Sequence, residues 1–380
     1  MLAIGLMSGT SADGVDAALI DVRSEADRVT FTLVAYHTEP YPGAVQAALI
    51  GIAQPGAGTV DEICRMNVLV GHYFGRAALS ICQQAGTDPS RIDVIGSHGQ
   101  TIHHLPDPSD VYGTSVRASL QIGDAATIAE MTGVKVISDF RSRDIAAGGQ
   151  GAPLVPLVDY LLCRSDEVGR VMLNLGGIAN LTALPPGCSR DDVFAFDTGP
   201  GNMLIDALVS EATGERYDRD GRLAASGTVQ PDVLGLLLEH PYFSMPPPKS
   251  TGRELFGQSF LDQIRILCKD LSLQDQVATS TALTSRSVGA SIDRFVRPEF
   301  DPVEVYVSGG GRNNPVLMEG LREAMLDCRV VPSSDLGLDP EAKEAVAFAI
   351  LAAETLAGRP GNLPRVTGAS RAVVLGQITP

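Results

Sequence analysis

The stretch LAIGLMSGTSADGVDAALI (residues 2–20) reads as two apolar strands, Leu2 to Leu6 and Val15 onward to Val22, joined by a roomy polar tip from Ser8 to Gly14. Gly9 and Gly14 allow positive φ and close backbone approach, while Ser8, Thr10 and Ser11 add hydroxyl donors beside exposed backbone N–H groups. Such a tip suits a phosphate. Asp13 and Asp16 would repel a bare phosphate, so this reading brings a divalent cation with it, because Mg²⁺ takes carboxylate and phosphate oxygens together. The competing reading is a solvated turn, since Ser, Thr, Asp and Gly are ordinary turn residues. The layout returns in RVMLNLGGIANLTAL (residues 170–184), again strand, glycine turn, strand, without likeness in residue identity. Two domains, each opening on a hairpin whose glycine tip faces a shared cleft, would account for the recurrence.

A chain of 380 residues is long enough for about two domains, and its apolar content suffices for packed cores. With 45 acidic against 29 basic residues, the net charge of −16 argues against a nucleic-acid or anionic-membrane surface and for a small-molecule substrate. The six cysteines are scattered without a C-x-x-C pair, which fits reduced thiols, three or more of them core residues, in a cytoplasmic protein. The start lacks a charged segment followed by a long apolar one, and no later run reaches about 18 apolar residues, so neither secretion nor membrane insertion is expected.

Further along, apolar runs repeatedly end in polar, glycine-bearing segments. Ile92 to Ile95 leads into a loop Gly96, Ser97, His98, Gly99, Gln100, Thr101; Val134 to Ile137 leads into Asp139, Arg141 and Asp144 and a glycine-rich loop at residues 148–151. Asp124 is placed to cap a helix. Val193 to Phe196 is a strand, residues 197–202 a tight loop, and Met203 to Thr213 a helix stopped by Gly214. MPPPKSTGRE (residues 245–254) is loop at least through Pro248, and three glycines, Gly309, Gly310 and Gly311, stand between a strand and a helix that begins at Pro315. A final helix over residues 340–356 carries an apolar surface for the core. Strands alternating with helices and ending in polar residues define an α/β fold with a ligand crevice at one edge.

Taken together, MSGTSADGVD (7–16), GSHGQT (96–101), DFR (139–141) with AAGGQGAPLVP (146–156), NLGGIANLT (174–182), FDTGPGN (196–202), STGRE (250–254), SGGGRNNP (308–315) and KEAVAFA (343–349) resemble the anhydro-N-acetylmuramic acid kinases. The resemblance runs in order over nearly the whole chain. It implies two α/β domains of the actin/hexokinase-like ATPase type around an interdomain cleft, here residues 1–140 plus 340–380 and residues 141–339. It also implies a homodimer that uses ATP and Mg²⁺ to phosphorylate O6 of a small anhydro amino sugar while water opens the anhydro bridge at carbon 1, in peptidoglycan recycling. Asp197 matches the catalytic aspartate, and a carboxylate at a strand end can serve as general base toward that water. Gly9, Thr10, Ser11, Ala12, Asp13, Gly14, Val15 and Asp16 would hold the β- and γ-phosphates, with Asp13 and Asp16 as candidate Mg²⁺ ligands. Gly176, Gly177 and Asn180 would face the phosphates from the second hairpin, and the turn of Gly309, Gly310 and Gly311 would receive adenosine. Gln100, Thr101, Arg141 and Glu344 would bind the sugar, the arginine fork suiting its lactyl carboxylate.

Plainer readings stand beside these. Arg141 lies among Asp139, Arg143 and Asp144 and can belong to a local ion-pair cluster; Asp197 can cap a helix; Glu344 can be a helix-start carboxylate; the three glycines can be a packing turn. His98, His103 and His104 lack a completing acid or cysteine for a zinc site. Rival functions are an ordinary sugar or acetate-type kinase, a nucleotide-switch protein, which would want a partner-binding domain beyond this core, and a sugar sensor, which would not need the phosphate-shaped tip.

Overall fold

The computed structural model describes every residue except Ala26 and Pro55. The chain divides into two compact units, Met1–Leu162 joined by Glu341–Pro380, and Cys163–Pro340. The first break falls after Leu162 and not after residue 140, for a physical reason. Buried Asp144 accepts hydrogen bonds from Gly151 N (2.8 Å), Asn362 Nδ2 (2.6 Å) and Thr367 Oγ1 (2.7 Å), which ties the segment after Arg141 to the returning C-terminal chain.

In the first unit, β1 (Leu2–Ser8), β2 (Gly14–Glu25) and β3 (Arg28–Pro40) form an antiparallel meander. Then β4 (Val94–Val111) pairs parallel to β1 and antiparallel to β5 (Thr114–Ile122), and β6 (Val136–Ser138) pairs parallel to β4. The C-terminal strand Gln377–Thr379 closes the far edge against β6. In the second unit, β7 (Gly169–Leu175), β8 (Ile178–Leu184) and β9 (Phe194–Pro200) form another antiparallel meander, while β10 (Pro302–Ser308) pairs parallel to β7 and β11 (Arg329–Pro332) parallel to β10. The orders β6-β4-β1-β2-β3 and β11-β10-β7-β8-β9 are the same topology. The recurrence of the two hairpins is therefore a repeat of structure.

One element of the first unit explains two of its glycines. The helix Lys343–Leu356 has every residue from Ala345 to Thr355 buried and lies on β1 and β4 where Gly5 and Gly96 stand side by side in register. A methyl group at Gly5 would land on the Ala345 carbonyl oxygen, and one at Gly96 on the Phe348 carbonyl. Bare backbone at both positions lets the helix sit directly on the sheet, burying Phe348, Ile350 and Leu351, each worth about 1.5–3 kcal/mol.

Local signals read from the sequence reappear where side-chain chemistry enforces them. Asp124 Oδ2 accepts from Thr127 N at 2.7 Å to cap the helix Ala125–Thr132, and Gly214 ends the helix Met203–Thr213 with φ 76°. Pro315 opens the helix Pro315–Ala324 behind an Asn314 cap. The segment expected as a loop at residues 96–101 is strand: it lies inside β4, because Ser97 pairs with Leu6 and Gln100 with both Ser8 and Ile122. Four of the six cysteines, Cys82, Cys163, Cys188 and Cys268, are buried and all six are free thiols. Among the described residues, no helix is long and apolar enough to cross a membrane.

Candidate active site

The tip between β1 and β2 is held from outside by three side chains. Gln100 Nε2 donates to Gly9 O (3.0 Å), and the Ser8 hydroxyl lies 2.8 Å from Gly14 O and 2.5 Å from Gln100 Oε1, so its single proton is shared between two acceptors. Gln46 Nε2 donates to Ser11 O (3.0 Å) and Asp13 Oδ1 (2.7 Å). Ala12, buried, adopts φ 50°, and its N–H donates to Gly9 O at 3.1 Å. Thr10 and Ser11 remain exposed at the apex. Gln100 thus acts on the tip itself, both ends of its amide being engaged there.

Val15 is buried, and Asp16, next on β2, pairs in register with Met7 and Thr38. Its Oδ1 accepts from Tyr36 OH (2.8 Å) and Thr38 Oγ1 (2.6 Å); among the described residues Oδ2 accepts no hydrogen bond. Asp13 is exposed. The described residues contain no group of three or more His, Cys, Asp or Glu side chains able to hold a metal. Mg²⁺ bound with a nucleotide needs only one or two carboxylates beside phosphate oxygens and water, and Asp16 suits that demand.

Arg141, just ahead of the short helix Ser142–Ala146, donates from Nη1 to Gly151 O (2.6 Å) and from Nη2 to His98 Nε2 (2.8 Å). Its Nε is buried without a partner. Among the described residues it forms no ion pair with Asp139 or Asp144, so the local-cluster reading does not describe it: Asp139 accepts instead from Ser142 and Gln377. Burial holds the guanidinium down to about 10, against the opposing pull of Glu344 and Asp144. Thr101 Oγ1 accepts from Gln121 Nε2 at 3.1 Å. Glu344 lies on the first turn of the helix Lys343–Leu356, where the helix dipole favours a carboxylate, and its side chain is accessible. Desolvation nevertheless raises its pKa, opposed by Lys343, reinforced by Asp16 and opposed again by Arg141.

In the second unit, strand register lines up polar residues across the sheet: Ser308 on β10 pairs with Asn174 on β7, Asn174 with Asn180 on β8, and Asn180 with Asp197 on β9. Directly opposed residues share a face, so these side chains form one row. The tip Gly176 and Gly177 accepts backbone hydrogen bonds at 2.8 Å from Asn202 N and Gly201 N respectively, bringing it against the start of the helix Met203–Thr213. Gly309, at φ 79°, packs on Leu175 and Asn174, and Gly311 on Leu175 and Asn202. The hairpin tip and the three-glycine turn, with Gly310 between its partners, therefore converge on one place.

Asp197 caps no helix; it lies within β9, and the next helix begins at Met203 behind Asn202. Its Oδ2 accepts from Thr251 N at 2.8 Å, its own N–H donates to Lys249 O at 3.1 Å, and its carbonyl accepts from Tyr242 OH at 2.8 Å. Desolvation lifts the carboxyl to about 6; Glu254 adds to the rise, while the Thr251 N–H and Lys249 oppose it. Lys249 is buried, donates to Tyr242 O (3.2 Å) and lies 4.8 Å from the ring centres of Tyr242 and Phe295, with burial holding it down to about 8. A carboxylate lifted toward neutrality within β9, its Oδ2 held by the Thr251 N–H and its backbone by Lys249 O and Tyr242 OH, can take a proton from water.

His98, Asn174, Lys249 and Thr251 carry no local sequence signal of the roles the structure gives them. Thr251 acts through its backbone N–H, so its residue type carries no signal. His98 and Lys249 act through neighbours 43 and 7 residues away in the chain, which only folding brings near.

Each of the two α/β units carries a glycine-tipped hairpin, and the second holds a carboxyl lifted by burial. Among solved structures, the fold is similar to the activator of the 2-hydroxyisocaproyl-CoA dehydratase from Clostridium difficile with bound ADPNP, at 12% identity and a TM-score of 0.45 over 93% of this chain and 94% of that one. The family model described as anhydro-N-acetylmuramic acid kinase matches residues 1–380. An anhydro-N-acetylmuramic acid kinase of Caldanaerobacter subterraneus is 46% identical, over 100% of this chain and 96% of that protein; one of Salinibacter ruber is 44% identical, over 99% and 95%. The chain belongs to the anhydro-N-acetylmuramic acid kinase family.

Proposed function

We propose that the protein converts 1,6-anhydro-N-acetylmuramic acid, ATP and water into N-acetylmuramic acid 6-phosphate and ADP, in the cytoplasm and as a homodimer, during peptidoglycan recycling. The observation that carries the reading is Asp197, a carboxylate lifted to about 6 and oriented by the Thr251 N–H. In this reading its ionised form removes a proton from water as the water oxygen attacks carbon 1 of the sugar. The C1–O6 bond breaks, O6 attacks the γ-phosphorus, and the bond from that phosphorus to the β,γ-bridging oxygen breaks to release ADP. The water proton leaves through Asp197, and O6 needs none because the phosphoryl group replaces it. Positioning and charge stabilisation supply most of the phosphoryl-transfer rate.

The first glycine tip, residues 9–16, is assigned to the β- and γ-phosphates, its backbone held in shape by Gln100, Ser8 and Gln46. Asp16, with Asp13 near it in the chain, would hold Mg²⁺, which supplies charge neutralisation between phosphates. Gly176, Gly177 and Asn180 are assigned to the phosphates as well, and the turn of Gly309, Gly310 and Gly311 to adenosine. Arg141 is assigned to the lactyl carboxylate; two neutral acceptors and an unpartnered Nε support an anionic ligand there. Thr101 and Glu344 are assigned to sugar hydroxyls, with Gln100 supporting the tip. The test is turnover in oxygen-18 water with Mg²⁺, ATP and the anhydro sugar. One labelled oxygen at the anomeric carbon of the sugar phosphate, read before ring-opening exchange, is expected; unlabelled product would overturn the coupled mechanism.

A further inference from the structure

His98 sits 4% exposed on β4, its ring 4.5 Å from that of Phe348. Its hydrogen-bond partners decide its tautomer. Gly99 O, 2.8 Å from Nδ1, can only accept, so Nδ1 carries the proton; Arg141 Nη2, 2.8 Å from Nε2, can only donate, so Nε2 offers its lone pair. A second proton on the ring would set N–H against N–H, and burial beside the guanidinium opposes it too. Gly151 O, the other acceptor on Arg141, is likewise uncharged. The nearby carboxylates do not pair with the guanidinium: Asp144 is engaged by Gly151 N, Asn362 and Thr367, and Glu344 acts on Arg141 only through space. An arginine is ordinarily buried against a carboxylate; here two neutral acceptors hold it and its buried Nε has no partner.

We propose that His98 is the specificity-determining positioning residue of the sugar site: its neutral ring aims the Arg141 guanidinium without neutralising it, leaving the charge for an anionic substituent of the sugar. This rests on the assignment of Arg141 to the lactyl carboxylate. A carboxylate at position 98 would aim the same fork but cancel its charge, and an apolar residue would leave it unaimed. The neutral acceptor is the one choice that does both things the site requires.

Two amides separate the two nitrogens of the ring. His98→Asn keeps a donor near Nδ1 for Gly99 O and drops the acceptor at Nε2, whereas His98→Gln reaches the Nε2 position and can accept from Arg141. The full-length enzyme is assayed with 1,6-anhydro-N-acetylmuramic acid and with 1,6-anhydro-N-acetylglucosamine, which lacks the lactyl acid. For His98→Asn the KM for the acidic sugar should rise roughly tenfold to hundredfold, as expected for a lost hydrogen bond to a charged group, with a smaller change in kcat and a collapse of the preference over the neutral sugar. His98→Gln should retain most of that preference. Equal loss in both variants, or loss in neither, overturns the role of His98. Should His98→Asn fail to fold, His98→Leu removes the acceptor with a side chain of similar volume and is read against the same two outcomes. Arg141→Ala separates the assignments: if it abolishes the preference while His98→Asn does not, Arg141 stands and His98 falls; if neither variant moves it, both fall.

Discussion

Replacing Asp197 by Asn should inactivate the enzyme and make it more stable at neutral pH. Folding lifts the Asp197 carboxyl from 3.8 to about 6, chiefly through desolvation. A carboxyl whose folded pKa is raised favours the folded state when protonated. Its contribution is therefore fully present below about pH 4 and is lost as pH rises through about 6, leaving a constant penalty above that. A shift of about two units corresponds to about 3 kcal/mol at most, and the partial exposure of Asp197 reduces this to about 1–3 kcal/mol. Asn has no charge to desolvate, and its Oδ1 can still accept from Thr251 N. The assay is thermal unfolding of natural and variant protein from pH 4 to pH 8. The melting temperatures should nearly coincide at pH 4 and separate toward pH 7, the variant rising by several degrees at roughly 2–4 °C per kcal/mol for a unit of this size. Coincident curves at every pH, or a variant that melts lower as pH rises, would refute the desolvation argument. Catalysis runs the other way: the base must be ionised, so kcat/KM of the natural enzyme should fall about tenfold per pH unit below about 6.

Three further outcomes follow from the packing. Gly96→Val drives a side chain into the Phe348 carbonyl and should destabilise the first unit by about 1–3 kcal/mol or more; an unmoved urea midpoint would contradict the close approach of helix and sheet. Lys249→Met keeps the hydrocarbon among the rings of Tyr242, Phe196 and Phe295 but removes a cation that holds the Asp197 pKa down, so the acid limb of the pH–rate profile should move upward; the same limb in variant and natural enzyme would exclude that electrostatic role. Gln100→Leu leaves Ser8 with one acceptor and takes the side-chain donor from Gly9 O, and should raise the KM for ATP while the KM for the sugar changes less; the reverse pattern would return Gln100 to the sugar.

What the sequence determined by itself is whatever short-range chemistry governs. Asp124, Pro315 and Gly214 mark helix ends because a carboxylate cap, a missing N–H and a tolerated positive φ act within one turn of the chain. The two glycine-tipped hairpins were legible for the same reason, each strand lying next to its partner in sequence, and so was the repeat they announce. The ordered motifs also carried the family.

Tertiary structure alone decided the matters that depend on distant partners. The segment at residues 96–101 looks like a loop because glycines and polar residues dominate it, yet β1, about ninety residues earlier, makes it a strand. Gly5 looks like an ordinary strand residue and Gly96 like the first residue of that loop until the helix from the far end of the chain rests on both. Arg141 looks like a member of a local charge cluster, but folding gives it His98 and Gly151 instead. Asp197 is an acid of unremarked strength in the sequence. Its lift to about 6 comes from burial, with Glu254 adding to it, while the Thr251 N–H and Lys249 some fifty residues later oppose it, and such desolvation is a property of the packed fold that no local pattern encodes.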